Sequence, residues 1–197
     1  MTLSRRALLL SGLPALLVGP GLAARGRQGL EQFGLGGPPC AVDPILTPAV
    51  PPSASYRPGA PERSSLVDPG TTGIPLAFSG TVTGLTCGRI AGARVDVWHA
   101  DARGTYDMES WRHRGHQRTD EQGQFRFRTV MPGAQPGRAP HVAIRVIVPD
   151  RADFATELFF PGDPRNAADP HHQATLELRV LSERAGQTAS FDLYLDL

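Results

Sequence analysis

The sequence predicts an all-β protein, a β-sandwich preceded by an extended N-terminal arm rich in proline and glycine. From Ile74 onward, apolar residues alternate with polar ones in short runs, which is the period of strands with one buried face. Turn residues separate these runs, and the chain contains 22 glycines and 19 prolines. No run in this region keeps helical spacing long enough for a long helix. With 197 residues, the chain can form one domain with a sizeable core.

Each alternating run predicts one strand. The first starts near Ile74 and is interrupted by Gly80 and Gly84. Further strands are predicted, in chain order, around residues 93–97, 125–127, 142–146, 176–180 and 191–195. Between the second and third of these strands, residues 119–123 predict a turn in which Gly123 takes a positive φ.

The chain divides into three predicted segments: an export signal (1–24), the extended arm or linker (25–70) and the sandwich domain (71–197). In the first segment, Arg5 and Arg6 precede a short apolar run, and small residues follow it. The arginine pair favours the twin-arginine route, which predicts a periplasmic or extracellular protein. The alternative is a membrane anchor, but the run is shorter than the ~20 residues that span a bilayer. We therefore expect no membrane span in the mature protein.

Composition excludes several classes of function. The net charge is +1, with 20 basic and 19 acidic residues, so nothing indicates a nucleic-acid partner. All basic residues are arginine, which excludes lysine Schiff-base chemistry. The two cysteines, Cys40 and Cys87, form no Cys-x-x-Cys motif, which excludes a zinc ribbon or a thioredoxin-like site. Whether they form a disulfide stays open, as does the oligomeric state.

Three sequence blocks identify a family. Residues 132–143 read PGAQPGRAPHVA, residues 98–106 read WHADARGTY, and residues 159–164 read FFPGDP. Together with residues 111–120, they resemble the intradiol ring-cleavage dioxygenases, such as catechol and protocatechuate dioxygenases, over roughly residues 47–166. The resemblance implies a β-sandwich core, a ferric iron cofactor held by two tyrosines and two histidines, and a catechol-like aromatic substrate. Fe(III) is a hard cation that suits phenolate oxygen with imidazole.

The resemblance also implies roles for single residues. Tyr106 and His141 match iron ligands, and Arg138 matches the catalytic arginine that stabilises negative charge on the intermediate. Gln135 stands where the family has its displaceable tyrosine, and Ala143 stands where it has the second histidine. Residues 141 and 143 of one strand point to the same face, so Ala143 removes a ligand that His141 should have beside it.

Structural alternatives stay open for the matching residues. Tyr106 could be a half-buried residue at the end of a strand, His141 a structural histidine, and Arg138 an anchor for a turn. Two protein ligands are few for tight iron binding, and His116 is the best candidate for a substitute ligand. We expect His99 to pack structurally and His171 and His172 to lie in a surface turn.

The sequence thus predicts an intradiol dioxygenase-like protein whose iron site lacks two of the family's four ligands. One alternative is a non-catalytic protein that uses the former active-site cleft to bind an aromatic ligand, a metal or a partner. Another is a structural sandwich whose cleft has no function.

Overall fold

The computed structural model describes residues 45–183 and 185–196 and contains eight strands in those ranges. The predicted export signal and the first part of the arm lie outside the described residues. The strands are β1 (Pro75–Gly84), β2 (Arg94–Trp98), β3 (Arg114–Arg118), β4 (Gln124–Val130), β5 (His141–Ile147), β6 (Phe154–Phe159), β7 (Arg179–Glu183) and β8 (Gly186–Leu195). Two short 3-10 helices, Pro164–Ala168 and Ala174–Leu176, lie between β6 and β7.

The strands form two four-stranded sheets, which confirms the predicted all-β sandwich. The first sheet has the order β4-β1-β8-β7, in which β1 and β8 are parallel and the other pairs antiparallel. The second sheet, β3-β2-β5-β6, is antiparallel throughout. In the part of the chain that the structure describes, no helix is long and apolar enough to cross a membrane.

The core lies between the two sheets and contains the apolar residues of the predicted alternating runs. From the second sheet, Val95 and Val97 of β2 and Val142, Ile144 and Val146 of β5 are buried there. The first sheet contributes a set of buried apolar side chains from β1, β4 and β8: Leu76, Phe78, Val82, Phe125, Phe127, Ala189, Phe191, Leu193 and Leu195. The turn prediction is also confirmed, because Gly123 has a φ of 70°.

Two strands were not predicted, and one predicted strand begins later than expected. Strand β3 has no apolar residue, and β6 (FATELF) lacks a regular alternation, so neither has a strand period in its sequence. In the predicted 176–180 run, Leu176 ends a 3-10 helix and the strand begins at Arg179. Leu176 is nevertheless fully buried, so the apolar residue was predicted correctly as core but not as strand.

The described part of the arm, residues 45–70, lies along the edges of both sheets. The backbone N–H of Val50 donates to Ala155 on β6, that of Arg63 to His116 on β3, and that of Leu66 to Arg128 on β4. These three are edge strands, whose free polar groups need partners. Leu66 itself is fully buried in the core.

Cys87, in the turn after β1, takes a positive φ of 58°. It is disulfide-bonded. Cys40, the other cysteine of the sequence, lies outside the described residues.

Candidate active site

Tyr106 and His141, the two predicted iron ligands, meet in the structure. The hydroxyl of Tyr106 lies 3.2 Å from Nε2 of His141, although 35 residues separate them in sequence. His141 is the first residue of β5, it is buried, and its Nδ1 lies 2.8 Å from the carbonyl of Ala139. Because that carbonyl can only accept, Nδ1 carries the proton and Nε2 presents a lone pair towards Tyr106.

Two loops bring Tyr106 to this position. The carboxylate of Asp101 accepts hydrogen bonds from the backbone of Arg103 and Thr105, which closes the loop that ends at Tyr106. Gly104 has a φ of 86°, and a Cβ at this position would lie 2.0 Å from the carbonyl oxygen of Ala134. Only glycine allows this close approach, which places the Tyr106 loop against the loop that carries Gln135.

The side chain of Arg114 contacts the same loop. Sequence reasoning missed this residue. Its side chain is fully buried and donates to the carbonyl of Ser55 in the arm at 2.5 Å and to that of Asp107 at 3.0 Å. Its guanidinium carbon lies 5.8 Å from the centre of the Tyr106 ring. Arg114 therefore ties the arm, the loop and the Tyr106 ring together.

Burial shifts the pKa values of both predicted ligands towards their neutral forms. Desolvation raises the pKa of Tyr106, and the carboxylate of Glu157 raises it further. Desolvation lowers the pKa of His141, against the opposing effect of Glu157. Without a bound cation, the pair therefore consists of a protonated phenol and a neutral imidazole.

Arg138 anchors two carboxylates beside this pair. It forms an ion pair with Glu157, and its Nε lies 2.9 Å from Asp169. The buried carboxylate of Asp169 also accepts from the backbone N–H of Ala139, two residues before His141. These contacts are those of an anchoring guanidinium, and the catalytic role of Arg138 stays a prediction.

The two positions that depart from the family pattern lie at the same site. Gln135 is half-buried, and its carbonyl accepts from the backbone N–H of Arg138 in a turn. Ala143 is buried on β5, between Trp98 of β2 and Glu157 of β6. The register of β5 places His141 and Ala143 on one face, as predicted.

Glu157 is the second residue that sequence reasoning missed. It is 2% exposed, and its Oε2 contacts Arg138 and lies 2.9 Å from Nδ1 of His171. Its Oε1 has no hydrogen-bond partner and lies 3.7 Å from Nε2 of His141. No sequence signal marked Glu157, because its pairing with Ala143 exists only in the register of the β5–β6 hairpin.

The structure does not bring His116 to the Tyr106–His141 pair. Its Nδ1 lies 2.7 Å from the carbonyl of Ala60 in the arm, and its Nε2 faces Glu62 at 3.8 Å. Strand β3 is two strands away from β5, a lateral separation of about 10 Å. His116 thus serves to fasten the arm to β3.

The other histidines are placed as follows. His99 is buried and hydrogen-bonded to Ala100 and Thr129, so its predicted structural role is confirmed. His172 contacts Glu177 and packs against Phe159. His171 lies in a turn as expected, but its ring reaches Glu157 at the wall of the site.

Tyr106 also lines a polar cavity of about 440 Å³. Asp101, Asp107, Arg112 and His113 are among its lining residues. Among the described residues, no group of three or more histidine, cysteine, aspartate or glutamate side chains is arranged to hold a metal ion.

Comparison with known proteins agrees with this fold. The family model described as Dioxygenase matches residues 53–196, which is well over half of the chain. The dioxygenase domain of a dioxygenase–carbohydrate-binding protein fusion from Streptomyces sp. SirexAA-E is 39% identical, with a TM-score of 0.75. The match covers 78% of this chain and 99% of that domain.

Curated relatives include two ring-cleaving enzymes. A 6-chlorohydroxyquinol 1,2-dioxygenase from Cupriavidus pinatubonensis is 32% identical over 130 residues, which cover 53% of this chain and 47% of the relative. A catechol 1,2-dioxygenase from Acinetobacter lwoffii is 29% identical over 161 residues, covering 66% of this chain and 51% of the relative. The chain thus spans about half the length of these relatives. These matches favour the dioxygenase-like interpretation over a non-catalytic module, and the chain belongs to the intradiol ring-cleavage dioxygenase family.

Proposed function

We propose that this protein cleaves the ring of a catechol-type aromatic diol between its two hydroxyl-bearing carbons, using molecular oxygen. The observation that carries the proposal is the contact between Tyr106 and His141, 3.2 Å apart, within the fold of the family. The curated relatives named for catechol and for 6-chlorohydroxyquinol support a diol substrate. In the reaction, one carbon–carbon bond breaks and both oxygen atoms enter the two carboxyl groups of the product, so no external reductant is needed.

The residues at the site fit a hard cation such as iron. The lone pair of His141 Nε2, the hydroxyl of Tyr106 and the unpartnered Oε1 of Glu157 lie together at one buried place. A bound ferric ion would supply the Lewis acidity that makes the diol reactive towards oxygen.

The protein groups around this place have separate roles. Tyr106 would provide an anionic oxygen once its proton is lost, and the carbonyl of Ala139 keeps the proton of His141 on Nδ1. Arg138 is held by Glu157 and Asp169 and places positive charge at the edge of the site, where negative charge develops during ring opening. Gln135 is neutral, so it cannot replace the phenolate that the family has at this position.

The first test is oxygen uptake by the iron-loaded protein with catechol, hydroxyquinol and protocatechuate as separate substrates. We expect one oxygen molecule consumed per diol and an ultraviolet spectrum of a ring-opened dicarboxylate. Tyr106→Phe should lower the rate at least about 100-fold, because it removes the anionic donor. The matched control is Tyr194→Phe, since Tyr194 is half-buried on β8, outside the site.

The same assay can contradict the proposal. Iron-loaded protein that binds a diol, seen as a shift of its visible spectrum, but consumes no oxygen would support the binding-module alternative. Equal rates for Tyr106→Phe and the unmodified protein would show that ring opening does not depend on this site.

The sequence of residues 1–24 supports a second proposal, export by the twin-arginine route. Replacing both arginines, with Arg5→Lys and Arg6→Lys, should block this route while keeping the charge of the segment. We expect uncleaved precursor in the cytoplasm of the variant and shortened protein in the periplasm of the unmodified strain. Periplasmic protein at the same level in both strains would contradict this route.

A further inference from the structure

We propose that Glu157 is the third protein ligand of the metal site, and that it replaces, across the β5–β6 hairpin, the histidine missing at position 143. This rests on the proposed function only in that both concern a metal at Tyr106 and His141. Ala143 and Glu157 are directly paired in the hairpin, so their side chains share one face with Cβ atoms about 5 Å apart. Ala143 has only a methyl group where the family pattern has an imidazole, and Glu157 lies directly beside it across the hairpin.

The two oxygens of Glu157 have different surroundings. Oε2 contacts Arg138 and His171, which fixes the orientation of the carboxylate. Oε1 is buried, has no hydrogen-bond partner and faces Nε2 of His141 at 3.7 Å. An unpaired carboxylate oxygen in a buried position is costly unless a proton or a cation neutralises it.

The orientation of His141 makes a cation the better partner. Because its Nδ1 donates to Ala139, its Nε2 carries a lone pair and cannot donate to Glu157. A metal-binding histidine commonly has this arrangement, in which the second ring nitrogen donates to a backbone carbonyl. Nε2 and Oε1 are thus two acceptors that face each other with no hydrogen between them.

The distances between the donor atoms agree with a shared ion. Ligand atoms at about 2.1 Å from one first-row metal ion, at angles near 90–110°, lie about 3.0–3.4 Å apart. The Tyr106 oxygen lies 3.2 Å from His141 Nε2, and Glu157 Oε1 lies 3.7 Å from it. His141 Nε2 therefore lies within reach of a shared ion with each of the other two donors.

The buried charges also favour a cation. Two buried carboxylates, Glu157 and Asp169, face one guanidinium, that of Arg138. The two carboxylates thus share one guanidinium, and a metal ion would give Oε1 of Glu157 the positive partner that it lacks. One phenolate, one imidazole and one carboxylate form a hard donor set that suits iron.

Iron binding tests the proposal without reference to catalysis. The full-length protein is loaded with iron, passed through a desalting column, and its iron content and chelator-competition affinity are measured together with its visible spectrum. We expect close to one iron per unmodified chain and a phenolate-to-iron absorption band. Glu157→Gln should weaken iron binding at least tenfold, because a neutral amide oxygen is a poor ligand.

Glu177→Gln is the matched control. Glu177 contacts His172 at 2.9 Å as Glu157 contacts His171, but it lies outside the three-donor site. We expect this control to bind iron like the unmodified protein. Equal iron affinity in Glu157→Gln and Glu177→Gln would overturn the proposal, as would an unmodified protein that takes up no iron.

A second variant covers the case in which Glu157→Gln does not fold. Glu157→Asp keeps the negative charge that pairs with Arg138. Its side chain is one methylene shorter, so its oxygens lie farther from the metal site, and we expect weaker iron binding in a folded protein. Unchanged affinity in this variant would overturn the proposal.

Failure of this proposal can be distinguished from failure of the proposed function. Iron binding that depends on Glu157, in a protein that does not cleave diols, contradicts only the proposed function. Diol cleavage with iron binding that is independent of Glu157 contradicts only the ligand.

Discussion

Arg114→Ala is expected to lower the free energy of unfolding by about 3–5 kcal/mol, the largest stability effect predicted for a single side chain here. The substitution removes the hydrogen bonds to the carbonyls of the half-buried residues Ser55 and Asp107 and leaves a cavity in place of the fully buried Arg114 side chain. Desolvation lowers the pKa of Arg114, so removal of the buried charge offsets part of this loss. The lost hydrogen bonds and packing dominate, because the Arg114 side chain is fully buried and its contacts are lost together.

Urea unfolding at neutral pH measures this effect, with Arg112→Ala as the control. Arg112 is two residues away and exposed, so its loss should change the stability by less than about 0.5 kcal/mol. Arg114→Lys should fall between the two, because one ammonium group cannot reproduce the geometry of the guanidinium. If Arg114→Ala were as stable as Arg112→Ala, the arm and the loop would not depend on this side chain.

His99 should make the protein markedly less stable in weak acid. Its ring is buried, its Nδ1–H donates to Ala100, and its Nε2 accepts from the hydroxyl of Thr129. Desolvation lowers its pKa to about 3 in the folded protein, below the 6.5 of an unfolded chain. The folded protein therefore favours the neutral ring. The contribution of this ring to the free energy of unfolding is complete above pH 6.5 and is lost as the pH falls towards 3. At pH 4.5 the loss should be about 2–3 kcal/mol.

The measurement is the free energy of unfolding at pH 7.5 and pH 4.5, for the unmodified protein and for His99→Gln. The variant should be less stable at pH 7.5, but its loss on acidification should be smaller by about 2–3 kcal/mol, since glutamine does not titrate. Groups distant from His99 titrate alike in both proteins and cancel in the comparison, whereas His113, whose ring centre lies 5.0 Å from that of His99, contributes to the difference. Parallel stability curves for the two proteins would show that His99 does not control the acid response.

Much of the fold could be predicted because most of the core strands have a clear period. The alternation around Val142, Ile144 and Val146 predicted both the strand and its buried face, and the structure confirms both. Strand β3 could not be predicted in this way, because it has no apolar residue. Its backbone is held by pairing with β2 and the arm, and these are contacts between distant parts of the chain.

The candidate site could be predicted only in part for a related reason. The resemblance to the family pointed to Tyr106 and His141, and the structure brings them together. The sequence predicted His116 as the substitute ligand, because His116 lies in residues 111–120, one of the blocks that resemble the family. Sheet order places His116 two strands away from β5. Glu157 has no motif around it, and its relation to Ala143 exists only in the register of the β5–β6 hairpin.

By itself, the sequence determined the family, the sandwich class, the identity of the core strands and the loss of two expected iron ligands. These properties depend on residue type and short spacing, which local periodicity and motifs record. Only the tertiary structure decided that Arg114 joins the arm to the Tyr106 loop and that a carboxylate faces His141. The physical reason is that strand register and sheet order bring side chains together across long stretches of chain, and no local pattern encodes which residues will meet.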